Sequence, residues 1–160
     1  MKDFIIRLEK KEDYRATENL IREAFWNVYK PGADEHYFVH QMRNHPDFIP
    51  ELEVNGPENG NLLVVGWGGT DGHLLSAVQE VRESGVEVSF AHFDYIMPLP
   101  RNTEEVFSKF DKILVCELNS GHFVNYLRGV MPEFTYSQFN KVQGQPFLVQ
   151  EIVSAIKNNL

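Results

Sequence analysis

Apolar positions along this chain keep two different rhythms. In the first 54 residues they recur at helical spacing. Phe4-Ile5-Ile6-Arg7-Leu8 reads as a short strand, and Asp13 then opens a helix to about Tyr29. Ala16, Leu20, Ala24 and Val28 recur every fourth residue, with Ile21 and Phe25 beside them, which makes one apolar face. Lys30-Pro31-Gly32 stops it. A second helix is expected from Asp34 to Asn44, with Tyr37, Phe38 and Met42 inward and His45-Pro46 and Ile49-Pro50 at its end. This part reads β-α-α.

Asn55-Gly56-Pro57-Glu58-Asn59-Gly60 is a cluster of turn dipeptides, read as a linker over 55–60. Beyond it come short apolar runs alternating with helical stripes. Leu62-Leu63-Val64-Val65-Gly66 has the pattern of a strand buried on both faces. A helix follows from about Gly72 to Ser84, striped by Leu74, Leu75, Val78 and Val81, with Gly85 at its end. Val86 to His92 reads as a strand. Asn102-Thr103-Glu104-Glu105 resembles an N-cap with Glu three residues on, opening a short helix to Phe110. Ile113-Leu114-Val115-Cys116 is a further buried strand, Gly121 to Arg128 a helix, and Phe134 to Phe139 a strand. Pro146 stands near the start of a last helix ending about Asn158. The order predicts a three-layer α/β/α architecture with a mostly parallel sheet.

Composition narrows the function classes. The 160 residues carry a formal charge of −8, spread without an acidic tail or a basic arm, so no nucleic-acid partner is expected. No apolar run approaches about 18 residues, so no membrane span is expected, and the N-terminus lacks the apolar core of a signal peptide. A single cysteine, Cys116, excludes an internal disulfide framework and fits a reducing compartment, so a cytoplasmic location is expected.

Candidate chemistry gathers at the ends of the predicted parallel strands, where open α/β sheets present ligand sites. Gly66, Trp67, Gly68, Gly69, Thr70, Asp71, Gly72 and His73 form a glycine-rich strand-to-helix turn. It matches neither the dinucleotide fingerprint nor a Walker loop, and Asp71 repels phosphate, so the turn reads better as a packing surface. Glu117 and Asn119 lie at a second strand end, on the same edge of the sheet. Glu117 is either an acid/base group or, more simply, a cap for the following helix. Lys141, Gln143 and Gly144 belong to the loop before the last helix, and Cys116 reads as an inert core thiol. His36 and His40 have a spacing that can hold zinc, without an obvious third ligand, so a surface or packing role is expected. His73, His92 and His122 are scattered, the latter two near strand or helix ends. No Gly-x-Ser-x-Gly elbow occurs. No catalytic residue and no metal site is assigned.

Residues 61–160 resemble the C-terminal domain of the alpha subunit of 2-oxoglutarate:ferredoxin oxidoreductase, in the 2-oxoacid:acceptor oxidoreductase family. The carrying segments are Leu63 to His73, Ala91 to Pro100, Ile113 to Gly121 and Asn140 to Phe147. Asp71 departs from the Tyr common there. The resemblance implies a transketolase C-terminal-like domain that packs beside the catalytic domains and helps assemble the subunits. It also implies a parent complex using thiamine diphosphate, magnesium, iron–sulfur clusters and CoA, with none of these bound by this chain alone. Phe4 to Arg7, Ala24 to Tyr29, Pro31 to His36 and Pro46 to Leu52 are similar to the beginning of GNAT N-acetyltransferases. The acetyl-CoA loop of that family has no counterpart, because Arg82-Glu83-Ser84-Gly85-Val86-Glu87 lies at a helix end, the wrong pole for a pyrophosphate.

The chain is therefore expected to be a chimera: a truncated GNAT-like β-α-α segment over 1–54, a linker over 55–60, and a transketolase C-terminal-like domain over 61–160. The expected function is a non-catalytic assembly domain of the oxidoreductase, inactive alone, whose contact loops are those at Gly66–His73, Glu117–Asn119 and Lys141–Gly144. Its partners are other domains or subunits of that complex, with homo-oligomerisation possible. The rivals are an acetyl-CoA-dependent N-acetyltransferase and an engineered or recombined chimera without enzymatic activity.

Overall fold

A computed structural model describes residues 7, 9–28, 31–44 and 49–160, and the chain divides into two compact units, Met1–Phe48 and Ile49–Leu160. The expected strand at 4–8 lies outside the described residues, apart from Arg7, which is not in a strand.

In the first unit a single helical turn, Lys11–Asp13, leads into α1 (Tyr14–Phe25), and α2 spans Glu35–Asn44. The Asp13 carboxylate accepts two bonds from the Arg7 guanidinium, at 2.6 and 2.9 Å, and one from the Lys10 amide at 2.9 Å. The α1 helix stops at Phe25, not near Tyr29. Asn27 takes a left-handed φ of 57°, and its side-chain oxygen accepts the Gly32 amide at 2.9 Å, closing the turn. His40 Nδ1 lies 3.0 Å from Glu18 Oε1, which ties the two helices together. The inward apolar faces expected here do not form. No residue of α1 is buried, and Leu20, Tyr37, Phe38 and Met42 are all exposed. The reason is size: so short a helical pair has too little surface to enclose a core.

The second unit is one five-stranded sheet in the order β1-β3-β2-β4-β5. Its strands are β1 (Val54–Asn55), β2 (Gly60–Trp67), β3 (Ser89–Phe93), β4 (Phe110–Glu117) and β5 (Tyr136–Asn140). All neighbours run parallel except β1, which pairs antiparallel with β3 through Val54 and Ala91. Four helices connect or follow them: α3 (Asp71–Glu83), α4 (Thr103–Phe107), α5 (His122–Val130) and α6 (Val149–Lys157).

Strand alternation divides the core in two. Leu62, Val64, Phe90, Leu114 and Cys116 face α3 and α6, whereas Leu63, Val65, Ala91, Phe93, Ile113 and Val115 face α4 and α5. That is the expected three-layer arrangement with both sheet faces covered. Each fully buried Leu, Val or Phe contributes about 1.5–3 kcal/mol, so these two layers hold the sheet.

The boundary falls earlier than expected. Residues 55–60 are no linker between units: Asn55 belongs to β1 and Gly60 to β2 of the same sheet, and Leu52 is buried in the α4–α5 layer. Asn102 explains how this leading segment is held. It makes no side-chain cap for α4, contrary to the sequence pattern. Its Oδ1 accepts the Leu52 amide at 2.8 Å and its Nδ2 donates to the Leu52 carbonyl at 3.0 Å, as a neighbouring strand would. Arg82 secures β1 by donating to the Asn55 side chain at 2.8 Å and to the Asn55 carbonyl. Pro146 does not open the last helix, which starts at Val149 after Leu148 as N-cap.

Candidate functional site at the carboxyl edge of the sheet

The chain leaves β2 toward β3 on one side and later returns to β4 on the other side of β2. The carboxyl ends of β2 and β4 therefore form the topological switch point, where open α/β sheets leave a ligand crevice. Trp67 ends β2 and Glu117 ends β4, and Trp67 Nε1 donates to Glu117 Oε2 at 3.3 Å.

The β2 side of this crevice is compact. Gly66 is required, because a Cβ there would overlap Leu74 and Thr70. Gly68 takes a left-handed φ of 60°, and buried Thr70 donates its hydroxyl to the Trp67 carbonyl at 2.9 Å. Residues 68–70 thus make a single tight turn into α3, with Asp71 its first residue. Gly69 and Gly72 line the outside of this turn, and His73 sits half-buried on the first turn of α3.

On the β4 side the helix start is already occupied. Glu117 is 0% exposed. Its carboxylate accepts the Phe123 amide at 2.8 Å through Oε2 and the Val124 amide at 2.9 Å through Oε1. Asn119 Oδ1 accepts the Gly121 and His122 amides at 2.8 and 2.9 Å. These are the N–H groups that a helix start leaves free for a phosphate or carboxylate. Here two side chains of the same chain take them all. Of the two roles open to Glu117 in the sequence, the geometry selects the cap.

Lys141 follows β5 and is also committed. Its Nζ donates to the Pro146 carbonyl at 3.0 Å and to both Glu151 oxygens at 3.0 and 2.7 Å. The Lys141 ammonium, aided by the Leu148 amide, holds the Glu151 carboxyl below the usual carboxylate range. Gln143 and Gly144 lie in the exposed loop between Lys141 and α6, and Gly144 has a left-handed φ of 65°. Cys116 is wholly buried, and burial, with Glu117 beside it, raises its thiol well above the ordinary value.

The structure thus brings Trp67, Glu117 and Asn119 together and sets Gly66, Gly68 and Thr70 just behind them. It leaves Lys141, Gln143 and Gly144 on the neighbouring strand end, where Lys141 N donates to the Glu117 carbonyl at 2.9 Å. Among the described residues no group of three His, Cys, Asp or Glu side chains is placed to hold a metal ion. No helix among the described residues is long and apolar enough to cross a membrane. Sequence reasoning missed one grouping, of Asp71 at the start of α3 with His92 and Asp94 at the end of β3, because Asp71 is brought to them only by the fold.

No family model matches the chain. The fold is that of the transketolase-like C-terminal domain: the structure of an inactive β4 tetramer of a split-gene transketolase superposes with a TM-score of 0.52 at 14% identity, over 68% of this chain and 41% of that one. More specifically, the chain is homologous to part of the alpha subunit of 2-oxoacid:ferredoxin oxidoreductases. It is 37% identical over 105 residues to the 2-oxoglutarate oxidoreductase subunit KorA of Mycobacterium tuberculosis, covering 65% of this chain and 16% of that relative. It is 30% identical over 115 residues to the alpha subunit of 2-oxoacid:ferredoxin oxidoreductase 1 of Aeropyrum pernix, covering 68% of this chain and 18% of that relative. The 2-oxoglutarate:ferredoxin oxidoreductase of Magnetococcus marinus, solved with 2-oxoglutarate, coenzyme A and succinyl-CoA bound, superposes with a TM-score of 0.66 at 20% identity, over 84% of this chain and 25% of that one. This chain therefore spans less than a fifth of the length of these curated relatives. The resemblance of residues 1–54 to GNAT acetyltransferases gains no support from these comparisons, nor does the reading as a chimera.

Proposed function

We propose that residues 49–160 act as a packing and assembly domain of a 2-oxoacid:ferredoxin oxidoreductase alpha subunit, without catalytic activity of their own. The observation that carries this reading is the filled switch point. Glu117 and Asn119 use up the first amides of α5, and Asp71 adds negative charge beside the other helix start, so the crevice is unsuited to a diphosphate. The resemblance implies thiamine diphosphate, magnesium, iron–sulfur clusters and CoA in the parent complex, and the residues here do not fit those groups. One cysteine, buried with its thiol pKa raised, is no set of cluster ligands. Catalytic groups for a 2-oxoacid such as 2-oxoglutarate then belong to other domains or a partner subunit.

The contact face of this reading is the carboxyl edge of the sheet. Its loops expose Met97, Leu118, Val142 and Leu148, apolar side chains that other domains or subunits of the complex would cover. No observation favours acetyl transfer.

Three measurements test the reading. The purified chain, given 2-oxoglutarate, CoA, thiamine diphosphate, magnesium and ferredoxin, is expected to show no turnover, and turnover would remove the non-catalytic role. Light scattering of the chain mixed with the remaining alpha and beta polypeptides is expected to show a complex that Val142→Glu with Leu148→Glu weakens. An unaltered complex would refute the proposed face. Acetyl-CoA is expected to leave the melting temperature unchanged, whereas a bound ligand at about 100 times its Kd would stabilise by about 2.7 kcal/mol and raise it.

A further inference from the structure

The sheet ends at β5, and among the described residues no strand pairs with the outer flank of that strand. Its hydrogen-bond phase is fixed at both ends. The Ile113 amide donates to the Thr135 carbonyl at 2.9 Å, and the Lys141 amide donates to the Glu117 carbonyl at 2.9 Å. Ile113 is level with Tyr136, and Glu117 with Asn140. The parallel ladder to β4 therefore runs through the main-chain groups of Thr135, Ser137, Phe139 and Lys141. The N–H and C=O groups of Tyr136, Gln138 and Asn140 point the other way, out of the flank.

This row is unguarded. A charge, a proline, a bulge or a covering element commonly blunts an open strand. Tyr136-Ser137-Gln138-Phe139-Asn140 contains neither a charge nor a proline, and its register with β4 runs without a bulge. Lys141, which follows, turns its ammonium to Pro146 and Glu151. Arg128 of α5 donates to the Gln138 side-chain oxygen at 2.8 Å. It stands 3.5 Å from the Tyr136 carbonyl, beyond the usual length of about 2.7–3.2 Å, so that acceptor stays open. The opposite flank of the sheet differs, because β1 is only two residues long and Arg82 holds its Asn55.

We propose that β5 is a dimerisation strand, which pairs antiparallel with β5 of a second copy of this chain about a two-fold axis at Gln138. Symmetry selects that occupant. The outward groups fall on alternate residues, evenly about Gln138, so the row is its own complement. Gln138 faces Gln138 of the copy, and Tyr136 and Asn140 face each other in both senses. Two bonds at each of three facing pairs give six N–H···O=C bonds. Between them Ser137 lies opposite Phe139, and no charged residue of β5 meets a like charge. Phe134, Tyr136 and Phe139, all half-buried beside the flank, lose further contact with water. The two five-stranded sheets join into one through an isologous contact. A foreign extended strand would satisfy the same main-chain groups, but the row supplies no side-chain feature that selects its sequence.

The test is sedimentation of the full chain over a wide range of concentration, with hydrogen exchange measured alongside. The mass is expected to rise from monomer to dimer, and the Gln138 and Asn140 amides to gain about ten-fold or more protection as it does. Gln138→Pro removes an outward donor and places its ring on the flank. It keeps every bond to β4, because that N–H faces away from β4. This variant is expected to melt as a folded protein and to stay monomeric, whereas Gln138→Ala, with its main chain intact, dimerises. Gln138→Cys is independent of whether the proline variant folds. Its Cβ atoms should lie about 4.5–5.5 Å apart across the axis, so mild oxidation is expected to link two copies by a disulfide. Glu83→Cys, exposed at the end of α3, should not link them. The proposal is overturned by a monomeric mass at every concentration, by a dimer whose Gln138 amide stays unprotected, or by a dimer of folded Gln138→Pro. A monomer whose Gln138 amide is protected only when the remaining alpha and beta polypeptides are added would also overturn it, in favour of a foreign strand.

Discussion

Glu117 Oε2 lies 2.8 Å from the backbone nitrogen of Phe123, so a carboxylate from the end of β4 seats itself on the first turn of α5. The same oxygen holds Trp67 Nε1 at 3.3 Å, and Oε1 holds the Val124 amide at 2.9 Å. The negative charge sits at the positive pole of the helix and has donors on every side. Glu117→Gln keeps the shape but turns an amide N–H toward a helix amide. It is expected to cost about 3 kcal/mol, since it leaves buried donors unmatched. Urea denaturation measures this, and an unchanged midpoint would refute the account of the filled crevice.

Gly66 carries a second prediction. A Cβ added here meets Leu74 and the Thr70 hydroxyl, both held in the buried α3 layer. Gly66→Ala is expected to destabilise by about 2 kcal/mol through overpacking, whereas Gly69→Ala, with open space around it, leaves stability nearly unchanged. Melting temperatures of the two variants, taken side by side, separate a packing requirement from a general dislike of side chains in this turn.

Asn102 links the start of the second unit to its core through two hydrogen bonds to Leu52. Asn102→Ala removes both partners of a buried backbone group and is expected to cost about 2 kcal/mol. Hydrogen exchange provides a local readout: the Leu52 amide should lose protection more than the amides of β4. Asn102→Asp, which keeps only the acceptor, should fall between wild type and alanine.

These residues also mark how far the sequence could be read. Leu62 to Val65 and Ile113 to Cys116 are uninterrupted apolar runs, and such runs are what a strand buried on both faces requires, so the parallel sheet and its helices were legible. The two-residue β1 was not, because a strand so short has no periodicity and is held by Arg82 and by pairing to Ala91. Asn102 carried the local signature of an N-cap, but its side chain is spent on a residue 50 positions earlier, a choice no local pattern contains. Glu117 and Asn119 were placed on the right edge because strand ends converge there. Which role Glu117 takes depends on the amides of α5, which only the folded chain positions. In residues 14–44 the helical period was legible but its burial was not, since period describes a face and not what covers it.

Cys116 tests the core directly. Burial and the neighbouring Glu117 charge raise its thiol pKa, so almost no thiolate forms near neutral pH. A disulfide reagent at pH 7.5 is expected to modify it only through opening of the sheet, at a rate about 1,000-fold or more below that of the unfolded chain. Modification within seconds under native conditions would place the residue outside the core. Because the thiol faces the α3–α6 layer, Cys116→Ser should be destabilising and Cys116→Ala less so.

The ion pair of Lys141 with Glu151 predicts a pH dependence. Lys141 Nζ, with the Leu148 amide, lowers the Glu151 pKa from its ordinary value of 4.5. A depressed carboxylate binds its proton more readily in the unfolded chain, so its contribution to stability is complete above pH 4.5 and is lost as pH falls through the folded value. Glu151→Gln should therefore lower stability at neutral pH and flatten the fall as pH drops below the ordinary value of 4.5, because the variant no longer takes up that proton. It leaves the Lys141 ammonium, 7% exposed, with neutral acceptors and no counter-charge. The double variant Lys141→Met with Glu151→Gln should regain part of the loss at pH 7, since removing both partners avoids a buried unpaired charge. Denaturation midpoints of the three proteins across that pH range decide it: parallel curves for wild type and Glu151→Gln would refute the assignment of this acid-sensitive step to Glu151.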